Sequence, residues 1–181
     1  HVRATRWFAG QDRTAEAVDH ALRSGSESLL VELMRGKGPL LLAAGEHARL
    51  REVAARLRGD TAGDPMAALL GAMAHLEVGE LGTADRLVAA ADAAWPAEPG
   101  PELAALRRLV GARRAYLTSE EVAVPAADEA ERLGFGPVSV VERAFVALVV
   151  QRVETARELA AAALEQAGDN AYLAARCLTV L

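Results

Sequence analysis

Three histidines, His20, His47 and His75, recur at near-regular intervals along the chain. Imidazoles hold a transition metal only when they converge with at least one further ligand. Glu16 and His20 lie one helical turn apart and offer half of such a site. No second pair and no His-Glu-x-x-His run accompanies them, so helix-surface and capping roles are expected and no metal. Arg107, Arg108, Arg113 and Arg114 concentrate positive charge in one stretch. Arg107 and Arg114, seven positions apart, share a helical face that suits an anion or an acidic partner. Its plainer role is a solvated face with local ion pairs. The serines, Ser24, Ser26, Ser119 and Ser139 among them, fall at turns and caps, where hydroxyls pair with backbone. Gly36-Lys37-Gly38 comes nearest to a phosphate-binding loop, but Val31 stands where its first glycine belongs. Neither catalysis nor a cofactor in this segment is expected.

The elements that would position these groups follow from composition. Hydrophobic residues make up 52% of the 181-residue chain, yet aromatics only 4%. Ala, Leu and Val therefore carry the apolar mass, which suits closely packed helices better than a sheet sandwich. The net charge of -5 argues against a grip on nucleic acid, whose affinity comes mainly from Lys and Arg. The single cysteine, Cys177, has no internal disulfide partner, which makes a reducing cytoplasm the expected location. Apolar runs such as Phe145–Val150 are too short to span a bilayer.

Helical periodicity predicts Arg3–Ala9, Thr14–Arg23, and Glu27–Arg35 continuing through Gly36-Lys37-Gly38-Pro39 into Leu40–Ala44. A kink or restart is expected at Pro39. Glu46–Arg58 runs back after Gly45, and Gly59–Asp64 reads as a loop. Asp64-Pro65 is an N-cap followed by a first helical residue, opening a helix to Val78. Thr83–Trp95 answers it. After Pro96, Pro99 and Pro101 come Glu102–Leu117, a helix starting at Ser119 and ending at Leu133, then Val138–Gln151, Val153–Ala167 and Ala171–Leu181. Val146, Val149, Val150 and Val153 invite a strand, but their flanks keep helical spacing.

Very small residues recur in triplets with gaps of twelve and seven: Gly36, Ala48 and Ala55; Ala72, Ala84 and Ala91; Gly111, Ala123 and Ala130; Ala144, Ala156 and Ala163. Antiparallel helices approach closely only where neither carries bulk at the crossing. The near-even spacing of the sets is that of stacked helical hairpins. First helices of such hairpins line the concave surface, here offering Glu32, Arg35, Glu142 and Gln151 besides His75, Glu77, Arg107, Arg114, Tyr116 and Arg143. The last six are the expected ligand- or partner-binding residues. Trp7, Phe8 and Trp95 are assigned to packing. The final helix reads as half of a hairpin whose Leu173, Leu178 and Leu181 lack cover, so a fragment of a longer protein, and a homodimer, are expected.

Arg3-Ala4-Thr5-Arg6-Trp7-Phe8-Ala9, followed by Glu16-Ala17-Val18-Asp19-His20-Ala21-Leu22-Arg23-Ser24-Gly25, resembles the start of the superhelical region in large ATP-dependent LuxR-family transcriptional regulators of the maltose-regulator type. Gly38-Pro39-Leu40-Leu41-Leu42, with Gly45-Glu46 and Leu50, resembles the next hairpin of that family. Beyond Asp60 the likeness is to generic tetratricopeptide-like pairs, clearest at Leu76-Glu77-Val78-Gly79-Glu80-Leu81. The Trp and Leu-Pro usual near Val53 and Leu57 are absent.

The resemblance implies a sensory arm between a nucleotide-binding module and a helix-turn-helix module, neither of them in this chain. It binds an inducer or protein partner and relays that state. The expectation is thus one all-α, right-handed tetratricopeptide-like superhelix of about five hairpins over 1–181. It is without enzymatic activity, direct nucleic-acid contact or membrane insertion. The alternatives are a free-standing helical-repeat adaptor that binds a peptide, and, more remotely, an all-α enzyme with a groove active site.

Overall fold

Apolar residues at three-four spacing wind this chain into helices and give each a face to bury. A computed structural model describes residues 1–118 and 135–181, and these are all-helical, with no strand among the described residues. The helix expected from Ser119 to Leu133, and with it Ala123, Pro125 and Ala130, lies outside the described residues. Two compact units emerge, one of residues 1–42 and 46–98, the other of 43–45 and 99–181.

The first unit holds α1 (Val2–Gly10), α2 (Thr14–Ser24), α3 (Glu27–Ala43), α4 (His47–Arg56), α5 (Gly59–Ala62), α6 (Pro65–Glu77) and α7 (Leu81–Ala93). Helices α1 and α2 pair, α2 and α6 each pack on α4, and α6 and α7 form a hairpin. In that hairpin Ala72, Ala84 and Ala91 are all buried, as their spacing predicts. The earlier triplet departs from expectation: Gly36, Ala48 and Ala55 are exposed. Close approach is made instead by Gly38 and Gly71. A Cβ on Gly38 would stand 2.1 Å from Leu70 Cδ1, and one on Gly71 2.7 Å from the Ala54 Cβ. The shift of a position or two matters because each helical residue turns the side chain by about 100°.

Helix α3 runs through Pro39 unbroken, so of the kink or restart expected there the restart does not occur. Proline lacks the amide that would bond the Arg35 carbonyl, a local cost. Burial of Leu33, Met34, Pro39, Leu41 and Leu42 offsets it. The helix stops at Gly45, whose φ of +75 is left-handed backbone that glycine adopts without strain. The stretch expected to be a loop after Arg58 contains the one-turn α5. There the Arg58 amide donates to Thr61 Oγ1 at 3.1 Å and to Glu27 Oε2 at 2.9 Å. Trp7, expected to pack, is 58% exposed. Its ring stands nearly perpendicular to that of Phe8 at 4.9 Å, and Phe8 stacks on His20 at 5.2 Å.

The second unit holds α8 (Pro101–Thr118), α9 (Gly136–Val149), α10 (Val153–Ala167) and α11 (Ala171–Val180). Helices α9 and α10 form a hairpin, α11 packs on both, and α8 packs on α9. Ala144, Ala156 and Ala163 are fully buried in its core, again as the spacing predicts. Asn170 caps α11 by accepting the Leu173 amide at 3.1 Å. Leu173 is buried, whereas Leu178 and Leu181 are 62% and 46% exposed, so two of the three leucines expected to lack cover do so. No helix among the described residues is long and apolar enough to cross a membrane.

Candidate functional site

One face of α3 is built differently from the other. Positions 29, 30, 33 and 34 face the core, while Ser28, Val31, Glu32, Arg35 and Gly36 follow one another at three-four spacing on the outer side. These five residues form one wall of a groove of about 830 Å3 that opens to solvent. Asp60, Thr61, Gly63, Asp64 and Pro65 supply the opposite wall, and Ala94 closes one end.

The opposite wall is pinned to α3 by two carboxylates. Asp64 caps α6 by accepting the Ala67 amide on Oδ1 at 3.0 Å. Its Oδ2 takes Arg35 Nε at 2.8 Å and Nη2 at 2.6 Å. The Asp64 side chain is 4% exposed and that of Arg35 68%, so the guanidinium stays wet while its partner is held in place. Glu27 accepts from the Arg58 amide and from the Thr61 hydroxyl. Those bonds, the hydroxyl's first, hold its carboxyl below the usual range. Glu32 and Asp60 are exposed and form no ion pair among the described residues. The groove therefore carries two uncompensated carboxylates, since Arg35 and Asp64 neutralise each other.

Of the six expected binding residues, none lines this groove. His75 and Glu77 sit at the end of α6, where His75 Nδ1 meets Glu80 Oε2 at 2.7 Å across the turn. Arg107, Arg114 and Tyr116 lie on α8, half-buried, with Tyr116 edge-on to Phe145 at 4.9 Å. Arg143 lines a separate small cavity of about 10 Å3 with Arg108, Ser139 and Glu142, room for one water at most. Glu32 and Arg35, read from the sequence as polar groups of first helices, are in the groove. Asp60, Thr61 and Gly36 were missed. Glycine carries no side-chain signal, and the Gly59–Asp64 stretch reads as a plain loop.

Burial selects a second cluster, in the other unit. Glu142, 1% exposed, sits 3.1 Å from Arg113 Nη2 and 3.0 Å from Arg176 Nη1. Arg176 covers the Phe145 ring at 4.7 Å and donates to Tyr172 Oη at 3.1 Å. The trio ties α8 and α11 to α9. With its members so enclosed, it is a structural clamp rather than a surface for a ligand. Among the described residues no group of three or more His, Cys, Asp or Glu gathers as a metal site would need. Compared with known proteins, the chain matches no protein family, no curated protein and no solved structure.

Proposed function

We propose that this chain is a binding module without catalytic activity: the sensory and protein-interaction arm of a LuxR-type transcriptional regulator, built as a tetratricopeptide-like superhelix. It recognises an inducer or a protein partner and passes that state to nucleotide- and DNA-binding modules elsewhere in a cytoplasmic protein. The observation that carries the binding role is the α3 groove, a preformed trough with a pinned wall and a first helix along its side. The likeness of Arg3–Gly25 to the opening of that family's arm supports the regulatory setting. The buried Ala72–Ala84–Ala91 and Ala144–Ala156–Ala163 sets support a repeated hairpin design.

A thermal-shift screen of the chain against sugars, nucleotides, acyl metabolites and short peptides tests the binding role. A hit whose stabilisation disappears in Gly36→Leu supports it, since that side chain would fill the groove. Stabilisation that no hit produces, or that survives Gly36→Leu, removes it. The coding sequence on either side tests the regulatory setting. A phosphate-binding loop upstream and a helix-turn-helix downstream support it, and their joint absence leaves the peptide-binding adaptor, which the openness of the groove also favours. Self-association covering Leu178 and Leu181 belongs to the same proposal. A concentration-independent monomer in sedimentation velocity would remove that part.

A further inference from the structure

The groove has a shape, a lining and a charge, and together they point to one kind of occupant. Resting on the binding role above, we infer that it receives an extended segment of a partner protein in which an apolar side chain stands beside a lysine or arginine. Shape comes first. Pockets for small metabolites enclose most of the ligand's surface. This trough of about 830 Å3 is open to solvent, so a free metabolite would stay wet on one side. A peptide needs only one face covered and can run along α3.

The lining supplies the apolar part. Val31, Pro65 and Ala94 offer no donors or acceptors on their side chains, and Gly36 leaves room between them. A Cβ built on Gly36 would meet nothing within 4 Å, whereas one on Gly38 or Gly71 would collide with Leu70 or Ala54. The glycines at 38 and 71 are consumed by the core. The one at 36 opens onto the groove, where an occupant's side chain can reach the helix backbone.

Charge selects the polar part. Arg35 is committed to Asp64, which leaves the carboxylates of Glu32 and Asp60 on opposite walls without a cation. A guanidinium or ammonium entering beside them gains attraction at both, and a carboxylate is repelled. Because Asp64 is anchored to the Ala67 amide and Thr61 to Glu27, the walls are set before binding and little ordering is required of them.

The test uses the full chain as bait for a phage library of short random peptides, followed by titration of synthetic versions of the enriched sequences. The expected result is enrichment of peptides joining Leu, Ile or Phe to Lys or Arg. Their binding should weaken as salt is raised. It should fall about tenfold or more in Gly36→Leu and in the Glu32→Gln/Asp60→Asn double variant. Thermal melting of both variants reports that the fold is kept. Enriched peptides that are acidic or uncharged, or basic ones that bind the double variant as well as the wild type, overturn the charge assignment. If Gly36→Leu still blocks such peptides, the groove itself stands as a binding site. Enrichment indifferent to Gly36→Leu, or no enrichment, overturns the peptide occupant. A small molecule whose stabilisation Gly36→Leu abolishes would then keep the broader binding role.

Discussion

Arg176 on α11 meets Glu142 on α9 at 3.0 Å with the carboxylate side chain 1% exposed, an ion pair almost wholly removed from water. Arg113 from α8 approaches the same oxygen at 3.1 Å. Breaking such a cluster strands a buried charge, and the cost of that exceeds what the intact pair contributes. Glu142→Gln is therefore expected to destabilise the second unit by about 3–5 kcal/mol. Urea unfolding followed by circular dichroism checks it, and a loss below about 1 kcal/mol would show the cluster to be wet.

Two helical glycines, Gly36 on α3 and Gly71 on α6, should respond with opposite signs. Gly36→Ala adds a methyl where nothing lies within 4 Å and is expected to stabilise by about 0.5–1 kcal/mol through helix propensity. In Gly71→Ala the new Cβ would lie 2.7 Å from the Ala54 Cβ and 3.3 Å from Leu87 Cδ1. Helix separation must grow there, at about 1–3 kcal/mol, more than propensity returns. Equal melting temperatures for the two variants would contradict this packing.

Asp64 has two tasks that substitution can separate. Asp64→Ala removes the cap of α6 and leaves Arg35 without its carboxylate. An expected loss of about 1–2 kcal/mol follows mainly from the cap. Asp64→Ser keeps a capping oxygen and should recover most of it. Arg35→Ala should cost under about 1 kcal/mol, because the guanidinium is largely in solvent. Chemical denaturation of the three variants ranks them, and a larger loss for Arg35→Ala than for Asp64→Ala would reverse the assignment.

Acid should weaken the first unit. Hydrogen bonding from Arg49 holds the Asp19 carboxyl below its ordinary 3.8, and the Thr61 hydroxyl does the same for Glu27 relative to 4.5. Native carboxyls of depressed pKa contribute stability that is fully present above the unfolded-state values. That contribution is lost as pH falls from about 4.5 through the lower native values. Denaturation midpoints of wild type and Asp19→Asn, measured from neutral pH down to about 3, should converge at the acid end. A constant gap across that range would remove Asp19 from the account.

Cys177 is 1% exposed in the core of α9, α10 and α11, and burial pushes its thiol up. Thiolate is the reactive form, so native protein should label with a disulfide reagent only when the second unit opens. Labelling that accelerates in Glu142→Gln is the expected outcome. Rapid labelling of the wild type without denaturant would contradict the burial.

Much of the local structure was legible because helices write a period into the sequence. The Ala72–Ala84–Ala91 and Ala144–Ala156–Ala163 spacings located two tight hairpins, and Asp64-Pro65 marked the start of α6. The stripe from Ser28 to Gly36 is likewise visible as a helical face. Ala and Gly are so frequent that a register of one or two residues was not legible, and Gly36, Ala48 and Ala55 accordingly face solvent where the crossing belongs to Gly38, Gly71 and Ala54.

By itself the sequence determined the all-helical character of the described residues and most of their helix limits, since these depend on residues within a few turns of each other. Tertiary structure alone decided that α3 passes through Pro39, that Glu142 joins Arg113 and Arg176, and that one face of α3 stays uncovered beside Asp60 and Asp64. Those outcomes depend on which distant segments share a volume, and on the burial that offsets a lost hydrogen bond or a desolvated charge. No local pattern carries that information.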